Sequence, residues 1–266
     1  MAALIVTILA ILFAIFLALS RPKKKPITLV PGIIEKVLEQ KVAYYARLSP
    51  DEKSRFCKEV EGFLREVKIT GVKTTVTDED RILLAASGII PIFSFPGWKY
   101  PNLNEILVYP GNFQEGFTME ANANRNIMGM VGSGPLQKLM VISQTALREG
   151  FANKTDKENT AIHEFVHLID KTDGEVDGIP ELLLDKHYAM PWLRLMLQEI
   201  QAIRQNESDI NPYGATNEAE FFAVASEYFF ERPALFSRKN PELFELMEKI
   251  FRQEPKTDSP QAKKPE

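Results

Sequence analysis

Cysteine and histidine, two residue types that often hold metals, are scarce in this sequence. Cys57 is the single cysteine among 266 residues, so no disulfide can form within the chain. It lies in a predicted helix with no histidine near it in sequence, which favours a buried thiol over a catalytic nucleophile. An excess of basic residues is also lacking. The net charge is −4, which gives no reason to expect binding to nucleic acid.

The chain has three histidines, and two of them lie four residues apart in the stretch His-Glu-Phe-Val-His at 163–167. Residues four apart share one face of a helix, so His163 and His167 can offer both imidazoles to one metal ion. Glu164 follows the first of them directly and can take a proton from a water on that ion. The motif therefore predicts a catalytic centre with a single Zn²⁺ ion.

This motif predicts a metal site only if it lies on a helix. Thr155 and Glu158 have the Ser/Thr-x-x-Glu spacing of a capping box, which predicts a helix start just before the motif. Gly174 is suited to end that helix. Four apolar residues fall on the face opposite the histidines and are expected to bury against a sheet: Ile162, Phe165, Val166 and Ile169.

A catalytic zinc site needs a third protein ligand beside the two histidines. The candidates further along the chain are Asp170, Asp173, His187, Glu220 and Glu227. Glu220 is preferred because it lies in a strongly apolar predicted helix, where a buried carboxylate needs a partner such as a metal ion. Glu227, on the same helix face, and Asp170, at the end of the motif helix, are expected to support the ligands as hydrogen-bond acceptors.

The apolar patterns predict an α+β fold in which helices flank a small sheet. Helices are predicted over residues 33–47, 51–67, from 77 onward, 191–205, 217–230 and from 240 onward. Four short apolar runs, punctuated by glycine and proline, are predicted as strands at 91–95, 105–109, 127–131 and 138–143. The glycines at 132 and 134 predict a hairpin turn between the last two.

The ends of the chain differ in character from the rest. Residues 2–20 are 19 residues without a charge, and as a helix they would span about 28 Å, close to the hydrocarbon thickness of a bilayer. A cleaved signal peptide should carry positive charge before its apolar run, and only Met1 precedes this one. A single-pass membrane anchor is therefore expected at residues 1–25, followed by one domain at 26–253 and a disordered polar tail at 254–266.

Four basic residues follow the apolar run directly: Arg21, Lys23, Lys24 and Lys25. By the positive-inside rule, such a flank keeps the C-terminal side of the helix in the cytoplasm. The sequence therefore predicts a domain tethered to the cell inner membrane and facing the cytoplasm.

Two long segments closely resemble the Mlc titration factor A family of zinc peptidases. They are Ile-His-Glu-Phe-Val-His-Leu-Ile-Asp at 162–170 and the segment at 211–230 that begins Asn-Pro-Tyr-Gly. The likeness extends to Leu-Ser-Pro-Asp-Glu at 48–52 and to Leu-Val-Tyr-Pro at 107–110. It therefore covers most of the chain from residue 48 to residue 253.

The resemblance implies a zincin-like fold, similar to the catalytic domain of anthrax lethal factor, with a small twisted sheet packed on the metal-binding helix. It implies that zinc is held by His163, His167 and Glu220, with Glu164 as the general base. It also implies that Tyr213 lies near the metal and helps to stabilise the oxyanion.

By analogy with zincins, the strand before the motif, with Val141, Ile142 and Ser143, is expected to pair with extended substrate. The expected function is that of a membrane-anchored zinc peptidase, either an aminopeptidase or an endopeptidase. The family's best-known members also bind a glucose-responsive transcriptional repressor. The alternative is therefore a membrane-tethered regulatory protein that sequesters such a repressor and uses zinc structurally.

Overall fold

The computed structural model describes residues 30–111, 129–131, 138–153 and 156–253 of the chain. The expected anchor at 2–20, its basic flank and the polar tail at 254–266 lie outside these residues. Within the described ranges, no helix combines the length and the apolar character needed to cross a membrane.

The described residues form a mostly helical structure with one small sheet. Ten α-helices are present: α1 (Ile33–Lys41), α2 (Ala43–Ala46), α3 (Pro50–Glu66), α4 (Asp78–Ile92), α5 (Gln144–Ala152), α6 (Thr160–Asp170), α7 (Lys186–Arg204), α8 (Glu218–Glu231), α9 (Pro233–Lys239) and α10 (Pro241–Phe251). Short 3₁₀-helices follow α6, at Lys171–Asp173, and precede α8, at Pro212–Ala215. The strands are β1 (Lys68–Gly71), β2 (Glu105–Tyr109), β3 (Gly129–Val131) and β4 (Leu139–Ser143).

The four strands lie in the order β1-β2-β4-β3. Strand β2 pairs in parallel with β1 on one side and with β4 on the other, and β3 pairs antiparallel with β4. The predicted strands at 105–109 and 138–143 are therefore present. Of the predicted strand at 127–131, residues 129–131 are described and form β3. The antiparallel pairing of β3 and β4 is the arrangement that a hairpin produces, although its turn lies outside the described residues.

The predicted strand at 91–95 is wrong, because α4 continues to Ile92. Every residue of this helix from Ile82 to Ile92 is buried, and a helix that is apolar on all sides shows no periodicity to distinguish it from a strand. The sequence also did not predict β1, which has only four residues and directly follows α3.

Helix boundaries differ from the prediction where the chain bends between helices. The predicted helix at 33–47 is interrupted at Val42, whose backbone is extended. Helix α7 begins at Lys186, so Pro191 lies inside its first two turns instead of at its start. Helix α9, between Arg232 and Asn240, was not expected.

Helix α6 carries the His-Glu-x-x-His motif and lies in the centre of the core. It packs against α4 and α8 and against strands β3 and β4. Its four apolar residues, Ile162, Phe165, Val166 and Ile169, are completely buried. They face the neighbouring helices as well as the sheet. This packing fixes the position of α6 and therefore of its two histidines.

Candidate metal centre

Two neighbouring helices bring three side chains together at one point. His163 and His167 come from α6 and Glu220 from the first turn of α8, and their ligand atoms all lie within 4.8 Å of one another. His163 Nε2 lies 3.1 Å from His167 Nε2 and 3.0 Å from Glu220 Oε2. His167 Nε2 lies 3.3 Å from the same carboxylate oxygen. Three converging donors of this kind match the protein ligands of a catalytic zinc site.

Asparagine residues start both helices. The side chain of Asn159 accepts a hydrogen bond from Ile162 N, and that of Asn217 accepts one from Glu220 N. The motif helix therefore begins after Asn159 and not at the predicted capping box of Thr155, a residue outside the described ranges. Helix α8 begins at Glu218, one residue later than predicted. Because Glu220 lies in the first turn of α8, the helix dipole favours its negative charge.

The second nitrogen of His163 is held by a carboxylate from α8. His163 Nδ1 lies 2.8 Å from Glu227 Oε1, and the other Glu227 oxygen accepts a hydrogen bond from the backbone N–H of Asn159. Glu227 is buried. A proton on Nδ1 that is donated to Glu227 leaves Nε2 with its lone pair directed at the metal position.

Asn159 and Glu231 extend this hydrogen-bond network, and neither was identified from the sequence. The side-chain amide of Asn159 donates to Glu231 Oε1 at 2.9 Å and to the carbonyl oxygen of Gly150 at 3.4 Å. Burial raises the pKa of Glu231 to about 7, although the Asn159 hydrogen bond and the charge of Arg47 lower it. The available signals were an asparagine directly before the motif helix and a third acid on the α8 face that carries Glu227.

Glu164, which follows His163 directly, has one carboxylate oxygen that accepts no hydrogen bond from the described residues. The side chain is buried, and no described residue donates a hydrogen bond to its Oε2 atom. Burial raises the pKa of this carboxyl, while the nearby imidazoles of His167 and His163 lower it. A buried carboxylate without a donor, placed beside a metal-ligand set, is suited to take up a proton.

The electrostatics of the three donors favour a bound cation. Burial raises the pKa of Glu220, but its hydrogen bonds to His163 and His167 hold it well below its usual range. Burial lowers the pKa of His163, but hydrogen bonds to Glu220 and Glu227 outweigh this effect and raise it to about 10. A metal ion would therefore take the place of the proton that the His163 imidazole otherwise holds beside these carboxylates.

Tyr213 lies on the 3₁₀-helix before α8, and its side chain faces the histidines. Its ring centroid is 5.9 Å from that of His163, and about half of the residue is exposed (49%). The turn is held by Asn211, whose side chain accepts from Tyr213 N and donates to Glu158 just before α6. Tyr213 is therefore near the metal position and open to solvent on one side.

Asp170 is completely buried at the end of α6. Its Oδ2 atom accepts a hydrogen bond from Gly178 N at 3.0 Å, and Oδ1 accepts none from the described residues. Burial raises the pKa of this carboxyl to about 6. Its hydrogen bond ties the loop that follows α6 to the end of the helix.

Comparison with known proteins supports a metal site independently of the geometry. A family model described as glucose-regulated metallo-peptidase M90 matches residues 20–252. The chain belongs to this family. Membership of a metallo-peptidase family supports a metal ion at the donor set of His163, His167 and Glu220.

Several relatives of this M90 chain match most of its length. The uncharacterised protein slr2042 of Synechocystis sp. is 29% identical over 239 residues, which are 85% of this chain and 86% of the relative. Mlc titration factor A of Pectobacterium atrosepticum is 28% identical over 228 residues, 79% of this chain and 82% of the relative. The factor of Serratia proteamaculans is 29% identical over 206 residues, 71% and 74% of the two chains. The resemblance to the Mlc titration factor A family is therefore confirmed.

The strand expected to bind substrate in this M90 chain does not have a free edge. Val141 and Ile142 of β4 lie opposite residues of β2 on one side and of β3 on the other. Ser143 is buried, and its side chain caps α5 by accepting from Ala146 N at 3.1 Å. The prediction that β4 adds a substrate strand is therefore wrong, and the strand at the edge of the sheet next to α6 is β3.

Four of the five candidates for the third ligand lie outside the donor set, among them His187 and Asp173. His187 is exposed, and its Nδ1 atom lies 3.0 Å from Asp185 Oδ1. Asp173 accepts a hydrogen bond from Glu175 N in the turn after α6. Neither residue is among the three whose ligand atoms converge in the described part of the chain.

Proposed function

We propose that this M90 chain is a zinc-dependent peptidase whose ion is held by His163, His167 and Glu220. The observation that carries the proposal is the convergence of these donors within 4.8 Å of one another, beside the carboxylate of Glu164. Two imidazoles and a glutamate are a ligand set of zinc peptidases, and they leave a coordination position open for chemistry.

In the proposed mechanism, the ion activates the water and the carbonyl group, and Glu164 transfers the proton. Zinc in such a site lowers the pKa of a water molecule and polarises a carbonyl group. Glu164 accepts the proton of that water at Oε2, the atom to which no described residue donates. Because burial raises the pKa of Glu164, its carboxylate is a stronger base than an exposed glutamate and can pass the proton to the departing amine.

Two features on the open side of the site are suited to the substrate. The hydroxyl of Tyr213, whose ring lies beside that of His163, donates a hydrogen bond to the developing oxyanion. The outer edge of β3 pairs with no other strand among the described residues. An extended peptide that adds to this edge would run along the strand that packs on α6.

The decisive experiment is Glu164→Gln in the full chain, assayed with a peptide library and for bound zinc. Glutamine has almost the same shape but cannot take the proton, so hydrolysis should fall at least about a hundredfold while one zinc ion stays bound. Normal hydrolysis by this variant would exclude Glu164 as the base. Peptides with free and with blocked amino termini distinguish an aminopeptidase from an endopeptidase.

Glu220→Ala tests the third ligand in the same assays. It should lose zinc on dialysis and lose activity together with it. His187→Ala is the matched control, because this histidine is exposed and its contacts are with its sequence neighbours Asp185 and Tyr188. Full zinc retention by Glu220→Ala would mean that another group completes the metal site.

A second candidate function is the binding of a transcriptional repressor. It is favoured by relatives that carry the name Mlc titration factor A. In this case a purified Mlc-type repressor should bind the chain, and the Glu164→Gln variant should bind it equally well. A chain that binds the repressor but hydrolyses no peptide with zinc present would favour this function over the peptidase.

The proposed location is the inner membrane, with the domain in the cytoplasm. The uncharged run at 2–20 and the basic flank of Arg21, Lys23, Lys24 and Lys25 support it. Cells with a permeabilised outer membrane should protect the domain from added protease. Digestion in such cells would place it on the other side, and recovery in the soluble fraction would exclude the anchor.

A further inference from the structure

A cavity lies away from the metal centre, and none of the residues that line it belongs to that centre. Its volume is about 270 Å³, and it opens between α3, the end of α4 and residues 97–103. Most of its wall is apolar and comes from Phe63, Ile89, Ile92, Trp98, Tyr100 and Leu103. A cavity of about 150 Å³ with such a lining holds a benzene molecule. This one therefore has room for an aromatic ring and a short chain.

One wall of the cavity contains a glycine inside a helix. Gly62 lies within α3, and a Cβ atom added there would meet no atom within 4 Å. A glycine in a helix interior costs about 0.5–1 kcal/mol relative to alanine. Here no close approach of a neighbouring atom requires it. The space beside Gly62 is therefore kept open at a cost in stability.

A carboxylate that accepts no hydrogen bond from the described residues lies one helical turn before this glycine. Glu59 also lines the cavity, and 27% of its side chain is exposed. Its nearest cation is Arg55, whose Nη1 atom is 3.8 Å from Glu59 Oε1, too far for a hydrogen bond. That guanidinium instead donates to the carbonyl oxygen of Phe93 at 3.0 Å and lies 3.7 Å above its ring. Among the described residues, none donates a hydrogen bond to Glu59.

The other charged groups at the cavity are already paired with each other. Lys99 and Glu66 both line it, and the lysine ammonium contacts the Glu66 carboxylate. Burial raises the pKa of Glu59, although Arg55 lowers it. This is the expected behaviour of a carboxylate that faces an apolar space without a donor. Glu59 is therefore the acceptor that a ligand can use.

We propose that this cavity binds a compact apolar amine. Its ammonium group donates to Glu59, and its hydrocarbon body lies against Phe63, Trp98 and Tyr100. The rings of Trp98 and Tyr100 meet edge to face, with their centroids 4.8 Å apart. The hydrocarbon part of the amine can pack against both rings. A charge-assisted hydrogen bond in a partly buried position adds affinity, and the aromatic faces also attract a cation.

The test uses phenethylamine as the probe and the zinc-loaded full chain. Isothermal titration calorimetry should show one site, and the fluorescence of Trp98 should change as the probe binds. Phenethyl alcohol and hydrocinnamate have the same ring with a neutral and a negative group, and they should bind more weakly, the anion least. Equal binding of all three would overturn the assignment of an amine.

Two variants test the residues that the proposal names. Glu59→Gln should weaken phenethylamine binding about tenfold or more, because it removes the charged acceptor. Gly62→Leu fills the space at the wall and should abolish binding. Its thermal stability and peptide hydrolysis should stay at the level of the unmodified chain or above. Gly62→Ala adds only a methyl group to an open position and is the control that should still bind.

The outcomes are distinct from those of the peptidase proposal, because no cavity residue takes part in the metal site. If phenethylamine produces no heat and no change in Trp98 fluorescence, the cavity is not an amine site. Binding that is unchanged in both Glu59→Gln and Gly62→Leu would place the probe elsewhere and would overturn the proposal as well.

Discussion

Among single residues, Glu227 is the one on which the orientation of His163 most directly depends. One of its oxygens lies 2.8 Å from His163 Nδ1, and the other accepts the N–H of Asn159. Glutamine at 227 would keep the shape but lose the charge and one acceptor. We expect Glu227→Gln to lower zinc affinity about 10–100-fold, measured by competition with a chromophoric chelator.

The control for this variant is the same chemical change on the surface. Glu207 is exposed after α7, so Glu207→Gln should leave zinc affinity unchanged. If Glu227→Gln bound zinc as tightly as the unmodified chain, His163 would be oriented by the packing of its ring and not by this carboxylate.

Glu231 predicts a pH dependence of stability, because burial raises its pKa from 4.5 to about 7. A carboxyl whose pKa is raised on folding holds its proton more tightly in the folded chain than in the unfolded one. The free energy of unfolding therefore falls as the pH rises from about 4.5 to about 7. Glu231→Gln keeps an acceptor for Asn159 and removes this loss.

The measurement is the difference in thermal stability between Glu231→Gln and the unmodified chain at several pH values. Other titrating groups are common to both chains, so their contributions cancel in this difference. Because Glu231 keeps some contact with solvent, we expect the variant to gain about 1–2 kcal/mol between the two ends of the range. A difference that does not change with pH would show that Glu231 titrates normally.

The pairs of acids and histidines on each helix were accessible to sequence reasoning because their spacing within that helix is local. His163 and His167 are one helical turn apart, and Glu220 and Glu227 are two turns apart on one apolar helix. The Asn159–Glu231 hydrogen bond joins residues 72 positions apart. Nothing in either helix alone indicates that their ends meet, so this part of the site required the tertiary structure.

At the scale of elements, Gly178 connects the two helices that form the metal site. Its N–H donates to Asp170 at the end of α6, and a Cβ atom there would lie 2.3 Å from the carbonyl oxygen of Glu218 at the start of α8. Its φ of +75° also disfavours an L side chain. Gly178→Ala should therefore push α8 away from α6 and lower both stability and zinc affinity.

Gly174 provides the matched control for this substitution. Its φ is +106°, but a Cβ atom there would meet nothing within 4 Å. Gly174→Ala should cost about 1–2 kcal/mol through backbone strain alone and leave zinc affinity unchanged. Gly178→Ala adds a steric clash of about 1–3 kcal/mol. Chemical denaturation and zinc titration of both variants measure these effects, and equal results for the two would exclude a role of Gly178 in spacing the helices.

The elements that the sequence predicted well are those with local signals at their ends. The helices predicted over 51–67 and from 77 onward are both present, and capping boxes at Ser49 and Thr77 start them with reciprocal side-chain hydrogen bonds. The sheet was predicted less well because its pairings are not local: Lys68 of β1 lies opposite Glu105 of β2. The central position of β4 follows only from these pairings, so its substrate role could not be judged from its own residues.

At the scale of the whole molecule, the metal position lies where two parts of the chain meet. The histidines come from α6 and Glu220 from α8, and a loop, α7 and two short 3₁₀-helices lie between them in sequence. Both helices are almost fully buried, and α6 packs directly on α8. An ion bound there joins the two helices in the folded chain only, since the unfolded chain has no such site.

Zinc should therefore stabilise the whole domain. A ligand at a hundred times its dissociation constant adds roughly 2.7 kcal/mol to the free energy of unfolding. For a chain of this size, that corresponds to a rise of about 5–10 °C in melting temperature. The measurement is thermal unfolding of the chelator-treated protein, with and without added zinc.

Glu220→Ala and His187→Ala decide whether this stabilisation comes from the proposed site. Each variant is compared with itself, with and without zinc, so a change in the stability of the metal-free protein does not enter the result. The shift should disappear in Glu220→Ala, which removes the ligand from α8, and persist in His187→Ala, which alters an exposed residue. A shift of equal size in all three proteins would mean that zinc binds somewhere other than between α6 and α8.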